Sequence, residues 1–277
     1  MFLVFDIGGT KMRLAVSRDG KELEHSEKVP TPPYFDHAIA EFSKQAQKLC
    51  GGEKPTKAAG GVAGTFNAEK SKLIRSPHLP AWVDKPLKKA FEQVLQCPVS
   101  FENDAAMAGL GEARRGVGKG YQIIAYITVS TGVGGARIVE NTIDRSVAGF
   151  EPGHQVIDAD GNLCPECAKP GDLENYISGT AVERRFKQKP KDITDPAVWN
   201  QLADWLAYGL LNTAVHWSPD VIVLGGSMIT GSPAIPLSRT SRKLGEIMKA
   251  FPKIPKIIKA GLQDNGGLIG SLEYLKR

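Results

Sequence analysis

Three times along this chain an apolar, strand-like run ends in a glycine-rich turn. Residues 2–5 lead into Asp6-Ile7-Gly8-Gly9-Thr10-Lys11, and residues 123–129 into Ser130-Thr131-Gly132-Val133-Gly134-Gly135. Residues 221–224 lead into Gly225-Gly226-Ser227. Paired glycines let backbone N–H groups approach a ligand because no Cβ intervenes, and such nests suit phosphate oxygens. A single pair reads as a tight hairpin. Three pairs, each after a buried-type strand, point to a nucleotide. The pattern is neither G-x-x-x-x-G-K-[ST] nor a G-x-G-x-x-G opening a helix, which excludes a P-loop and argues against a dinucleotide enzyme. Thr10, Ser130, Thr131 and Ser227 add hydroxyls beside the turns, and Lys11 adds a cation. Asp6, at the end of the first run, can orient a magnesium ion through water.

Between these turns, strand and helix patterns alternate. After the first turn come strands over 12–16 and 23–29. A helix then opens at Asp36, with Ile39, Phe42, Ala46 and Leu49 at helical spacing, and closes at Gly51-Gly52. A strand over 57–62, a helix over 85–95 and a strand over 98–101 follow; the last runs into Asn103-Asp104 and a helix over 105–114. The pattern then restarts with the second glycine turn and a strand over 136–139, a hairpin through Glu140-Asn141, and helices over 179–187 and 195–217. A last helix spans about 267–275. Two successive βα halves predict an α/β protein with two similar lobes. The expected division is 1–115, joined by the C-terminal helix at about 267–277, and 116–266.

Composition narrows the functional class. The 277 residues are 42% hydrophobic and 23% charged, an ordinary globular balance. The net charge of +5 is scattered, without a run of like charges, so nucleic acid is not an expected partner. The sequence offers no membrane-length apolar stretch and no signal peptide, so a cytoplasmic protein is expected. Four cysteines exclude a disulfide scaffold; Cys50 and Cys97 stand alone, while Cys164 and Cys167 form a close pair.

The turn at 6–11, Glu102-Asn103-Asp104-Ala105, the turn at 130–135, Glu151-Pro152-Gly153-His154, and residues 173–179 (Leu-Glu-Asn-Tyr-Ile-Ser-Gly) occur in a particular order and spacing. In these motifs, and in the closing Asp264–Gly270 segment, the chain resembles the ROK family of sugar kinases, repressors and related proteins. The likeness spans essentially the whole chain. It implies the actin/hexokinase-like (ribonuclease H-like) ATPase fold, with ATP and sugar in an interlobe cleft, and a homodimer.

A hydroxyl attacking ATP needs positioning, charge neutralisation at the phosphates and a carboxylate to accept its proton. By position alone, Asp104 reads equally well as a helix N-cap and as that carboxylate; the resemblance implies catalysis. It makes Asn103 a sugar-hydroxyl ligand and adds Gly64, Thr65, Glu151, His154 and Glu174 as sugar contacts. Acceptor-rich carboxylates and amides suit a ring of hydroxyls. His78 stands where the family usually has asparagine, and Trp82 reads as a packing residue. The phosphates are expected at Gly8, Gly9, Thr10 and Lys11 and at Thr131, Gly132, Val133 and Gly134, with Gly225 and Gly226 near the adenosine.

Family members with the loop at 154–174 offer a histidine with Cys-x-Cys-x4-Cys. This chain has His154 with Cys164-x2-Cys167-x4-Asp172. Zinc accepts all three ligand types, so a structural Zn²⁺ is expected, beside two alternatives: an unliganded cysteine pair or a redox Cys-x-x-Cys. The expected activity is an ATP- and Mg²⁺-dependent hexose kinase, with glucose converted to glucose 6-phosphate as first candidate. Kinases for an N-acetylated hexosamine, fructose or mannose remain open, as does a non-catalytic sugar sensor. The family's repressors carry an additional N-terminal DNA-binding region, for which a first strand beginning at Phe2 leaves no expected room.

Overall fold

The computed structural model describes residues 1–167 and 170–276. β1 (Phe2–Ile7) and β2 (Lys11–Ser17) form an antiparallel hairpin around the first glycine turn, and β3 (His25–Pro30) extends it. α1 (Phe35–Cys50) follows, ending at Gly51 in the left-handed conformation that glycine adopts without strain. β4 (Lys57–Val62) joins β1 in parallel. A small hairpin of β5 (Thr65–Phe66) and β6 (Leu73–Arg75) precedes α2 (Leu87–Leu95). β7 (Val99–Asn103) pairs in parallel with β4 and runs directly into α3 (Asp104–Arg115). The sheet order is β3-β2-β1-β4-β7.

The same plan recurs. β8 (Ile123–Val129) and β9 (Val133–Val139) form a second hairpin, extended by β10 (Thr142–Ile143). A loop region carries β11 (Val156–Asp158) paired with β12 (Gly171–Asp172), then α4 (Leu173–Ile177) and α5 (Gly179–Phe186). The long α6 (Pro196–Trp217) starts on Asp195, whose carboxylate accepts the Ala197 N–H at 2.8 Å. β13 (Val221–Gly225) pairs in parallel with β8, and α7 (Ser227–Thr230) and α8 (Leu237–Ile247) lead to β14 (Lys256–Lys259), parallel to β13. The second sheet reads β10-β9-β8-β13-β14. α9 (Gly266–Tyr274) closes the chain. α8 and β14, with the short β5, β6, β11, β12, α4 and α7, are elements the sequence reading did not anticipate. Only Thr240 and Leu244 of α8 are buried, and β14 is a four-residue edge strand between lysines.

Two compact units result: Met1–Arg115 with Arg145–Gly149 and the chain from Asp264 onward, and Gly116–Asp144 with Phe150–Gln263. In the first, alternation along β1 decides the layers. Phe5 turns toward α1 and α2, where its ring meets Phe42, Phe91 and Phe101 at centroid distances of 5.3, 5.3 and 5.5 Å. Val4 turns the other way and packs with Ala15 against Leu268 and Leu272 of α9. α9 lies so close to α3 that a Cβ at Gly270 would fall on the Met107 carbonyl oxygen, so only glycine permits that approach. In the second unit the core gathers Ile127, Val129, Ile222 and Leu224 with Trp199, Leu206 and Leu210 of α6. Among the described residues, no helix is long and apolar enough to cross a membrane.

Candidate active site

In the first unit, Ile7, Val62 and Asn103 stand in one row across β1, β4 and β7. All three strands are parallel, so the residues that follow each one emerge together at the carboxyl edge, where open α/β sheets bind ligands. Gly8-Gly9, Ala63-Gly64 and Asp104 are those residues. Asp104 is the first residue of α3 and accepts the Ala105 N–H with its own Oδ1 at 2.9 Å, and the helix start is capped further by the side chain of Asn103. The Asn103 Oδ1 accepts the N–H groups of Ala105 and Ala106 at 2.9 and 3.2 Å. The Asn103 Nδ2 donates to the Gly64 carbonyl at 3.2 Å, tying β7 to the loop after β4. Asn103 is therefore bound into the scaffold, a role that its type and position allowed but the sequence reading did not give it. A Cβ at Gly61 would lie 2.7 Å from the Asp104 Cα, so a bare backbone in β4 seats the start of α3.

Asp6 sits opposite Arg13 on the neighbouring strand, and the Arg13 Nη1 donates to its Oδ2 at 3.1 Å. The Arg13 Nη2 reaches Asp264 at 2.9 Å, and Lys28 also meets Asp264 at 2.9 Å. Burial pushes the Asp6 carboxyl above its usual range, against the lowering effect of Arg13. Asp264 is lowered, chiefly by the Lys28 hydrogen bond. Neither Arg13 nor Lys28 was singled out from sequence. The turn itself is closed by Gly8 N–H to Lys11 O at 3.0 Å and by the Thr31 hydroxyl to Gly8 O at 2.8 Å. The Gly8 amide expected to meet phosphate is thus spent inside the turn. At Gly9 a Cβ would lie 2.5 Å from the His78 Cβ, whereas at Gly8 its nearest neighbour would be 3.6 Å away. The bare backbone of Gly9 makes room for the loop carrying His78. Thr10 and Lys11 are exposed. Trp82 is fully buried against Phe35, as a packing residue.

In the second unit, the ends of β8 and β13 meet in the same way, with Thr128 beside Gly225. The Ser130 and Ser227 hydroxyls lie 3.1 Å apart. The first N–H groups of α5, on Gly179 and Thr180, donate to the carbonyls of Ser130 and Thr131 at 2.7 and 3.2 Å. Turn 130–134, turn 225–227 and the start of α5 are thereby brought together. The Val133 N–H, expected to hold phosphate, instead donates to Glu174 Oε2 at 2.7 Å, because α4 packs beneath the hairpin. That bond orients Glu174. Among the described residues, the N–H groups of Gly9, Thr10, Thr131 and Gly132 lie outside the backbone hydrogen bonds of the turns, which leaves each unit a short donor edge.

The expected zinc set is not assembled. Cys164 and Cys167 are bonded to each other, so neither sulfur is a thiolate ligand. Asp172 caps α4 by accepting the Asn175 N–H with Oδ1 at 2.8 Å, and its Oδ2 lies 3.2 Å from His154 Nδ1. The two side chains meet directly, and no group of three or more ligand-type side chains gathers among the described residues. Glu151 and His154 are exposed on either side of Pro152-Gly153.

Two βα units of equal strand order, each presenting a glycine turn at its carboxyl edge, define the actin/hexokinase-like class. The ROK family model matches residues 3–277, and the chain belongs to the ROK family. It is similar to a glucokinase of Streptomyces coelicolor, 28% identical with 98% of this chain and 96% of that protein covered. It is also similar to an N-acetyl-D-glucosamine kinase of Yersinia pseudotuberculosis, 27% identical over 98% and 97% of the two chains. Among solved structures, a ROK family glucokinase from Streptomyces griseus in complex with glucose and AMPPNP superposes with a TM-score of 0.79. It is 25% identical, with 99% of this chain and 98% of that chain covered. Fold and family are those of the ROK sugar kinases.

Proposed function

We propose that this protein transfers the γ-phosphoryl group of ATP to a hydroxyl of a hexose, with glucose as the first candidate. The observation that carries this reading is the junction of β7 and α3, which fixes the Asp104 carboxylate at the carboxyl edge of the sheet, its Oδ1 sharing the Ala105 N–H with the capping Asn103. A carboxylate anchored between a strand and a helix can accept the hydroxyl proton as attack on the phosphorus begins. Glu174, held by the Val133 N–H, and the exposed Glu151 and His154 supply acceptors for sugar hydroxyls. The Gly64-Thr65 segment, tied to Asn103, lies on the same edge of the first unit as Asp104. The phosphates fall to the donor edges at Gly9–Thr10 and Thr131–Gly132, with the exposed Lys11 as a cation and the Gly225-Gly226 turn toward the adenosine. A magnesium ion bound with ATP would supply neutralisation of phosphate charge. Asp6 engages Arg13 through Oδ2, and a carboxylate has about four lone-pair sites, so Oδ1 retains capacity for a metal-bound water.

Glucose heads the candidates because the relatives include glucokinases, yet similarity to an N-acetylglucosamine kinase at nearly the same identity keeps the hexosamine in contention. Coupled measurement of ADP release with glucose, mannose, fructose and N-acetylglucosamine tests both levels. Sugar-dependent ADP release with one of them is expected, glucose giving the highest kcat/KM. Absence of sugar-dependent release across the panel defeats the reading.

A further inference from the structure

The loop between β11 and α4 is organised around one carboxylate that the sequence reading passed over. Asp158, 7% exposed, ends β11. Its Oδ1 accepts the N–H groups of Gly161 and Asn162, each at 3.0 Å. Its Oδ2 accepts the Leu163 N–H at 2.8 Å and the Tyr176 hydroxyl at 2.7 Å. Burial alone would raise this carboxyl; the Tyr176 bond and the three amides outweigh it and hold the carboxyl below its usual range. Three successive amides converging on one anion fix the turn at 161–163. The Tyr176 hydroxyl fixes α4.

α4 matters because it carries Glu174. The five-residue helix is too short to hold its own shape, so its orientation comes from what grips it. Asp172 grips its start, and Asp158 grips Tyr176, whose ring packs edge-on against Trp205 at 5.0 Å. The bond from His154 Nδ1 to Asp172 sets the histidine against the same helix start. A metal ion in such a loop would connect residues 154, 164, 167 and 172. Here the two sulfurs are joined to each other and the two carboxylates make the remaining connections. The donor set does not fit zinc.

We infer that Asp158, acting through Tyr176, is the positioning residue that orients Glu174 and His154 toward the sugar, and that this loop does so without a metal ion. The inference rests on the sugar-kinase reading for its ligand, but not for its structural half. It also accounts for the carboxylate at position 172: an aspartate caps a helix and accepts from histidine, two roles that a cysteine fills poorly.

The test compares the wild-type protein with Asp158→Asn and Tyr176→Phe. The amide of Asp158→Asn turns donor hydrogens toward amides that need acceptors, while Tyr176→Phe removes one hydroxyl and keeps the ring. KM for the sugar should rise about tenfold in Asp158→Asn and about threefold in Tyr176→Phe, in line with loss of hydrogen bonds to a charged group. KM for ATP should stay within about twofold, a split that general loss of stability would not give. Wild-type protein prepared with and without chelator should show the same sugar KM and no stoichiometric zinc. Trp205 fluorescence should shift in both variants, which tests the hub even if no hexose is phosphorylated. One zinc per chain with a sugar KM that rises on chelation would overturn the inference. So would unchanged sugar KM and unchanged Trp205 emission in Tyr176→Phe, the variant that keeps the core packed if Asp158→Asn fails to fold.

Discussion

The hairpins β1–β2 and β8–β9 occupy the same place in two sheets of the same order, yet their chemistry is opposite. One residue before the end of β1 stands Asp6, facing Arg13 across the ladder; one residue before the end of β8 stands Thr128, facing Gly134. The first hairpin thus carries an ion network of Asp6, Arg13, Asp264 and Lys28. At its turn the second carries hydroxyls and amides, and the carboxylate bonded there, Glu174, arrives from a separate helix; the ion pair of Arg137 with Asp144 lies away from the turn. A repeated fold gives two similar edges, and side-chain choice makes the first turn's surroundings charged and the second's neutral. The difference also sets stability. Charges buried in pairs are costly to break one at a time, whereas neutral turns tolerate change.

The comparison breaks most severely at Asp104. Asp104→Asn keeps the shape of the first unit's edge and removes the proposed proton acceptor, so kcat should fall by at least ~10²-fold with sugar affinity retained. Steady-state kinetics with calorimetric sugar binding reads both, and near-normal turnover would detach this edge from the chemistry. Next comes Arg13→Met, which strands Asp6 while Asp264 keeps Lys28. Urea denaturation should show a loss of about 1.5–3 kcal/mol, the range for hydrogen bonds to charged groups. Thr128→Ala, at the matching place in the second unit, should cost less than ~1 kcal/mol. Equal losses would mean that the two hairpins are energetically alike.

A smaller effect separates the units by ligand. Gly132→Val places a side chain at the second unit's donor edge and should raise KM for ATP about tenfold while leaving sugar KM nearly unchanged, a loss comparable to one charged hydrogen bond. Smallest is the pH response of the magnesium-free protein, where two aspartates carry opposite signs. The Asp158 carboxyl is lowered, so its stabilisation is fully present above the ordinary value of 3.8 and is lost as pH falls through its folded value. The Asp6 carboxyl is raised, so the native state holds its proton longer, and that contribution is lost as pH rises from 3.8 through its folded value. Stability measured from pH 3 to 6 should therefore lose an acid-side decline in Asp158→Asn and lose a decline toward higher pH in Asp6→Asn. Matching curves for the two variants would contradict the assignment.

Much of the scaffold was legible because its signals are local. β1, β4, β8 and β13 are apolar runs ended by small or polar residues, and α1 and α6 have helical periodicity with a glycine stop or an aspartate cap. α8 and β14 were not legible. One buries too few residues to show a stripe, and the other is a short edge strand whose pairing with β13 is long-range. At the site, the sequence indicated Asp104, Glu174 and the glycine turns, but not how they are held. Thr31 on Gly8, Asn103 on the helix start and Glu174 on Val133 are each satisfied by groups 2 to 41 positions away.

The order of residues by itself determined the two βα halves, the glycine turns at strand ends and the family, because periodicity, caps and turn chemistry act within a few positions. Only the tertiary structure decided which amides are spent and which are left for a ligand. It also decided that Asp6 faces Arg13 and that the two cysteines bond to each other while Asp158 holds the loop. Hydrogen-bond partners and burial are set by which segments the packed sheet and helices bring within about 3 Å, and no local pattern in the chain encodes that proximity.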